Sequence, residues 1–405
     1  MKIRSITVFC QPGFPVNRLL LQQVGIFANH ARKLYQDHGY EVQSLRLATP
    51  PFEQFIAPVD LPLAAQSYAI EAHADGFEYV SLGPIQADSA DWNHIPEALS
   101  KSDRIFLSGS LTTHESALSL SAARACAETI VRLSTLEKTG FANLRFCALA
   151  NVPANTPFFP AAYAQPGRPS FALALEAADL AVQVFKNATS LQEASAGLIT
   201  EIEKHAAQLE AVGNRLSQMY TYEFNGLDFT LAPFPADAAS IGRALESLGL
   251  EAFGKPGSLF ASAFLTNTLD QAQFKRTGFN GLMLPVLEDS GLAQSVSDGH
   301  LGLRDLLMYS SVCGAGLDVI PLPGETTAEE LTPILLDLAA LALRLNKALT
   351  ARLMPIPGKK AGEMTNFDFD FFANCRILPV NSAPLLGKLK GNEEIAITAR
   401  RAFKS

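Results

Sequence analysis

No two cysteines stand at C-x-x-C spacing. The five present (Cys10, Cys126, Cys147, Cys313 and Cys375) are scattered singly. An odd, dispersed set fits reduced thiols in a cytoplasmic protein better than a disulfide frame or a thiolate zinc site. Positive charge is scarce: 32 Lys and Arg against 40 Asp and Glu give a net charge of -8. Nucleic acid and anionic membranes both need a basic surface, so neither is an expected partner. Long apolar runs are missing as well. The apolar stretch near the start, residues 6–10, contains Thr7 and is too short for a secretory signal. Residues 334–345 are interrupted by Asp337 and Arg344 and fall short of the roughly 20 residues a bilayer requires. No His-x-x-x-His zinc spacing, G-x-S-x-G elbow, Rossmann fingerprint or Walker loop occurs.

What is there is apolar and periodic. With 405 residues, 48% of them hydrophobic, the chain can bury one large α/β core. Alternation predicts strands at 3–10, 41–47, 77–82, 104–108, 144–150 and 226–232, and helices at 17–37, 115–136, 170–185, 190–220 and 258–268. Strand followed by helix favours parallel pairing with helical crossovers. Residues 1–380 read as a single barrel-like domain, and 381–405 as a loosely held tail. The proline-rich segment 151–168 directly follows a strand, where an ordered loop builds ligand sites in α/β folds.

Chemistry concentrates between Phe279 and Gly324. The run 282–287 reads as a strand delivering Glu288 and Asp289, and Asp318 opens the next strand. Three carboxylates at one strand mouth suit a divalent cation such as Mg²⁺, Ca²⁺ or Mn²⁺, or a general acid/base. Equally, Glu288-Asp289-Ser290 is a helix N-cap sequence. Cys313, in a glycine-rich turn, is either a nucleophile or a buried packing thiol. Asp228 lies among apolar residues and needs hydrogen bonds or a cation, and otherwise braces a loop. Three strands carry Pro near their ends (Pro285, Pro321 with Pro323, and Pro355), so pairing is expected to stop there and open onto one rim. Asn151, Asp228, Gly324, Lys359 and Lys360 are the candidate ligand contacts at that rim, with the lysines gripping an anion.

The segments LDFTLAPFP (227–235), G-x-P-G (254–257), GLMLPVLED (281–289), SVCGAGLDVIPLPG (311–324) and MPIPGKK (354–360), with NVPANTPFFPAAY (151–163), resemble the domain-of-unknown-function family 711. The resemblance implies an α/β barrel of about ten strands, of the pyruvate formate-lyase and anaerobic ribonucleotide reductase type, and a homodimer. The chain departs from the radical enzymes of that fold. Gly387 and Gly391 sit among lysines without an Arg-Val-x-Gly-aromatic loop, and no adjacent cysteine pair is present. A glycyl radical is not expected. The reading is a non-radical enzyme acting on a small anionic metabolite, with a metabolite sensor as the alternative.

Overall fold

A computed structural model describes residues 1–113 and 117–400. The start of the expected 115–136 helix and the end of the tail lie outside the described residues. In chain order the strands are β1 (Lys2–Phe9), β2 (Leu45–Ala48), β3 (Tyr79–Ile85), β4 (Ile105–Ser110), β5 (Ala117–Ser119), β6 (Phe146–Ala150), β7 (Ser170–Glu176), β8 (Glu223–Ala232), β9 (Gly316–Pro323), β10 (Leu349–Ile356) and β11 (Glu394–Ala396). Among the described residues, nine of them form one sheet in the order β8-β7-β1-β2-β3-β4-β6-β10-β9. β1, β2, β3, β4 and β6 pair in parallel. On either side a parallel pair, β7 with β8 and β9 with β10, joins that block antiparallel. The parallel expectation therefore holds inside each block and fails at the two junctions.

Local signals explain most boundaries. Asn17 caps the helix Arg18–Asp37 by accepting from the Leu20 N–H, and Ser190 caps Leu191–Tyr220 through the Glu193 N–H. Thr327 and Glu330 form a capping box at the start of Ala328–Leu345.

Three expectations are corrected. Residues 170–176, Ala- and Leu-rich and read as helix, form β7, because pairing on both sides with β1 and β8 outweighs intrinsic propensity. The run 282–287 is not a strand. It contributes one bridge, Pro285 to Asp318, and then a short 3₁₀ turn at Val286–Glu288. Pairing does not stop at the prolines of β9 and β10 either: Met354 faces Pro321, Pro355 faces Leu322 and Ile356 faces Pro323. Proline fits because β9 is a sheet edge and β6 pairs with β10 only at residues 349–351.

The sheet has two unlike faces. Ile6, Val8, Leu45 and Leu47 point into the main core under the helices. Ser5, Thr7 and Phe9, alternate residues of β1, point the other way, and Phe9 packs there with Ala48, Phe106 and Phe159. That second face is filled by the 151–168 segment. The Ser81 hydroxyl donates to the Ala162 carbonyl at 2.7 Å, the Ala164 N–H donates to the Thr49 carbonyl at 2.9 Å, and Ala161 and Ala162 are fully buried. The segment is a plug against the sheet, and it carries Phe158 and Phe159 toward the amino ends of the strands. The outer strands β8 and β9 each make one bridge to the stretch Arg276–Pro285, through Leu227 to Arg276 and Asp318 to Pro285.

Candidate functional site

Three irregularities in strand pairing set the site. Ile3 faces Leu175 and Ser5 faces Ala174, so Arg4 is an extra residue in β1. Ala351 faces Leu317 and Leu353 faces Ile320, so Asp318 and Val319 stand opposite the single residue Arg352. Ala174 faces Asp228 and Glu176 faces Ala232, leaving Phe229 to Leu231 opposite Leu175. Each is a β-bulge, the device that re-aims a side chain out of regular alternation. Two of them hold non-glycine residues in the left-handed region, Val319 at φ 42° and Leu231 at φ 48°. For a β-branched residue such as Val319 that conformation is a genuine outlier, costing on the order of 1–3 kcal/mol.

The re-aimed charges meet. Arg352 donates from Nε to Asp318 Oδ1 (2.6 Å) and from one terminal nitrogen to Asp318 Oδ2 (2.9 Å) and Glu288 Oε1 (3.1 Å). Arg4 donates to Glu288 Oε2 at 2.7 Å. Asp318, Glu288 and Arg352 are all buried. Burial pushes the Glu288 carboxyl up, but Arg4 and Arg352 outweigh it and hold the group below its ordinary value. At Asp318 burial prevails: Arg352 opposes the rise, the Glu288 charge adds to it, and the carboxyl lies above its ordinary value. Two acids sharing one guanidinium split in this way.

A cavity of about 190 Å³ opens beside this cluster. It is bounded by Arg4, Arg46, Glu288 and Arg352, and by the rings of Tyr79, Phe106, Phe158, Phe159, Phe369 and Phe371. Arg46 is the second residue of β2, Tyr79 the first of β3 and Phe106 the second of β4. The cavity therefore lies at the amino ends of the parallel strands, opposite to the carboxyl-end rim anticipated from the sequence.

Arg46 differs from the other two arginines. It is half-buried, as Arg4 is, but its Nε donates to the Ser44 hydroxyl at 2.9 Å, and its guanidinium lies over Phe159 (5.1 Å) and Tyr79 (5.8 Å). Among the described residues no carboxylate stands within ion-pair distance of it. Burial, and then the nearby Arg4 charge, lower its pKa to about 9. A third buried acid, Glu176, is occupied by the Gln43 amide at 2.8 Å.

The sequence candidates separate. Glu288 borders the cavity and Asp318 lies directly behind it on Arg352. Asp289, though adjacent to Glu288, faces away and works as a double cap. It accepts from the Leu292 N–H (2.9 Å) on its own helix, and from the Ser240 hydroxyl (2.6 Å) and the Ile241 N–H (2.6 Å) at the start of the helix Ile241–Glu246. An Asp289→Ala substitution is expected to lower stability by about 2 kcal/mol in urea titrations and to leave ligand binding untouched.

All four oxygens of Glu288 and Asp318 already accept from guanidinium N–H groups, and Asp289 is turned toward the two helix starts. Among the described residues, no group of three or more His, Cys, Asp or Glu side chains is placed to hold a metal ion.

Cys313 is buried with its sulfur accepting from the Gly316 N–H at 3.4 Å, and the Lys347 ammonium binds its carbonyl. It does not border the cavity. Cys313→Ala is expected to cost about 1 kcal/mol at most by thermal denaturation, and to leave anion affinity as in the parent. Asp228 also takes the bracing role. It accepts from the Thr230 hydroxyl and from the Phe279 (3.1 Å) and Asn280 (3.0 Å) N–H groups, fixing the Arg276–Pro285 stretch. Gly278, at φ 74°, passes so close that a Cβ there would lie 2.1 Å from Asp228 Oδ2.

Asn151 lines a separate cavity of about 210 Å³ with Gln86, Ser110 and Thr112, at the opposite, carboxyl ends of the strands. Gly324 is needed for close approach, since a Cβ would come within 2.4 Å of the Ile356 carbonyl, and its N–H donates to Lys359 O at 3.0 Å. Lys359 is half-buried and Lys360 exposed. Neither bounds the cavity.

The residues missed from sequence are Arg4, Arg46 and Arg352. A signal existed: each is a cation inside a mostly apolar strand (KIRSITVF, LRLA, LTARLMPI), and a cation withdrawn from water there needs a partner or a ligand.

This is an α/β protein with an arginine-centred pocket on the plugged face of a mostly parallel sheet. The chain belongs to the family described as uncharacterised ACR (DUF711), which matches residues 1–374. Similar proteins include the UPF0210 protein of Desulforudis audaxviator, 28% identical over 374 residues, spanning 87% of this chain and 82% of that one. The UPF0210 protein of Syntrophobacter fumaroxidans is 31% identical over 304 residues (71% and 66%), and that of Methanosarcina acetivorans 31% over 314 (75% and 67%). No helix among the described residues is long and apolar enough to cross a membrane.

Proposed function

We propose that this protein binds a small organic anion in the cavity at the amino ends of β1 to β4, with Arg46 as its counter-ion. The observation that carries the reading is the unequal pairing of the three arginines. Arg4 and Arg352 are engaged by Glu288 and Asp318, whereas Arg46 borders the cavity with no acid of the described residues in contact. A cation partly withdrawn from water without an opposite charge is unfavourable until an anion arrives. The volume of about 190 Å³ suits a metabolite smaller than drug-sized ligands, whose pockets run from about 300 Å³ upward. Glu288 and Asp318 serve here as the frame that orients Arg352 and Arg4. With its carboxyl held ionised and both oxygens engaged, Glu288 is poorly placed as a proton acceptor.

The same reading includes closure of the sheet into a barrel. What supports it is that one short stretch, Arg276–Pro285, bridges both outer strands. Nine flat strands would set those edges about 38 Å apart, beyond the roughly 30 Å reach of nine extended residues.

Titration calorimetry of the purified chain with small carboxylates and phosphate tests the binding reading. Binding that disappears in Arg46→Met supports it, and equal affinity in parent and variant discards it. Incubating the bound compound with the protein then separates a sensor from an enzyme, since only an enzyme depletes it with time.

A further inference from the structure

We propose that the anion taken by this pocket is an aryl carboxylate, an acid whose carboxylate meets Arg46 and whose flat ring lies among Tyr79, Phe106, Phe159, Phe369 and Phe371. The inference rests on the anion-binding reading above and supplies the ligand's apolar half.

Size comes first. A cavity of about 150 Å³ lined by apolar side chains takes a benzene molecule. The volume of about 190 Å³ here is enough for one ring and a carboxylate.

The walls are rings set edge to face. Tyr79 and Phe106 lie 5.4 Å apart at 79°, and Phe106 and Phe159 lie 5.3 Å apart at 63°. Such a wall offers both ring edges and ring faces, the arrangement in which aromatic groups attract one another beyond simple area burial. The cation is shaped to match. With Nε engaged by Ser44 and the guanidinium stacked over Phe159 and Tyr79, the two terminal nitrogens of Arg46 have no acceptor among the described residues. They form a planar fork suited to both oxygens of a carboxylate.

A further stretch of wall comes from Phe367-Asp368-Phe369-Asp370-Phe371, a period-two alternation. Asp368 and Asp370 are exposed, while Phe369 and Phe371 border the cavity. Phe371 packs on Phe369 at 5.4 Å and on Phe234 at 5.7 Å, yet 39% of it remains open to solvent. A bound ring would cover it. An inorganic anion would leave this whole surface wet.

Calorimetry with benzoate, cyclohexanecarboxylate, acetate and inorganic phosphate decides the question, using the full chain and its Phe371→Ala, Tyr79→Leu and Arg46→Met variants. Benzoate is expected to bind at least tenfold tighter than acetate and several-fold tighter than cyclohexanecarboxylate. Phe371→Ala and Tyr79→Leu should each narrow the benzoate advantage over acetate, and Arg46→Met should weaken binding of every probe. Acetate or phosphate binding as tightly as benzoate overturns the aryl assignment and leaves the anion pocket standing. So does cyclohexanecarboxylate matching benzoate. No binding of any probe to the parent chain overturns both.

Discussion

An Arg352→Ala chain is expected to lose about 4 kcal/mol of unfolding free energy in urea, because the substitution leaves two buried carboxylates without their shared counter-charge. The size follows from the geometry. Arg352 supplies three short hydrogen bonds, two to Asp318 and one to Glu288, at 2.6, 2.9 and 3.1 Å. Removing the guanidinium forfeits those bonds and strands Asp318, for which no other ion pair exists among the described residues.

A double variant, Arg352→Met with Asp318→Leu, should recover more than half of the loss, since an apolar pair of similar volume replaces a buried ion pair at little net cost. The deficit should also shrink in acid. Glu288 is held below its ordinary value by Arg4 and Arg352. Its contribution is therefore complete above the unfolded carboxylate value of about 4.3 and is lost as pH falls through the folded one. Asp318, raised in the fold by burial, takes up a proton more readily than a free aspartate, which relieves the stranded charge. A loss under about 1 kcal/mol at pH 7 would show that the cluster is water-filled and that the burial assigned to it is wrong.

Arg46→Met should act in the opposite manner, weakening anion binding by about 100-fold, the equivalent of one charge-assisted pair of hydrogen bonds, while the thermal midpoint stays within about 2 °C. Among the described residues no carboxylate is ion-paired to Arg46; Glu288 feels its charge only after those of Arg4 and Arg352, which remain when it goes. Its lowered pKa, reflecting burial and the Arg4 charge, makes the unliganded pocket the strained state. Without ligand the methionine variant is expected to be no less stable than the parent, and calorimetry with differential scanning on the same samples separates the two effects. A large fall in midpoint together with unchanged affinity would assign Arg46 to the core and not to a ligand.

Most elements were legible in the sequence for a plain reason. β1 to β4, β6 and the capped helices obey local rules, alternation for the strands and N-cap chemistry for Asn17, Ser190 and Thr327. Residues 170–176 were not, since SFALALE has helical propensity and becomes a strand only because β1 and β8 lie on either side.

The site was half legible. Glu288 and Asp318 stand out as acids beside apolar runs, and they do meet, but through Arg352, which lies 34 residues from Asp318 in sequence. Whether Asp289 faces the pocket or a pair of helix starts depends on one turn of 3₁₀ geometry that no spacing encodes. The position of the cavity depends on the bulges, and a bulge belongs to a pair of strands, not to either strand's own sequence.

Those bulges carry a lesson for how polarity enters a buried sheet. One surplus residue in a strand rotates a single side chain to the far face and lets its neighbours keep their places, so Ile3, Ile6 and Val8 remain in oil while Arg4 reaches water and charge. Trimming Val319 or Arg4 would yield a straighter ladder and a blander interior. The protein keeps its imperfections in register, and its recognition surface is made of them.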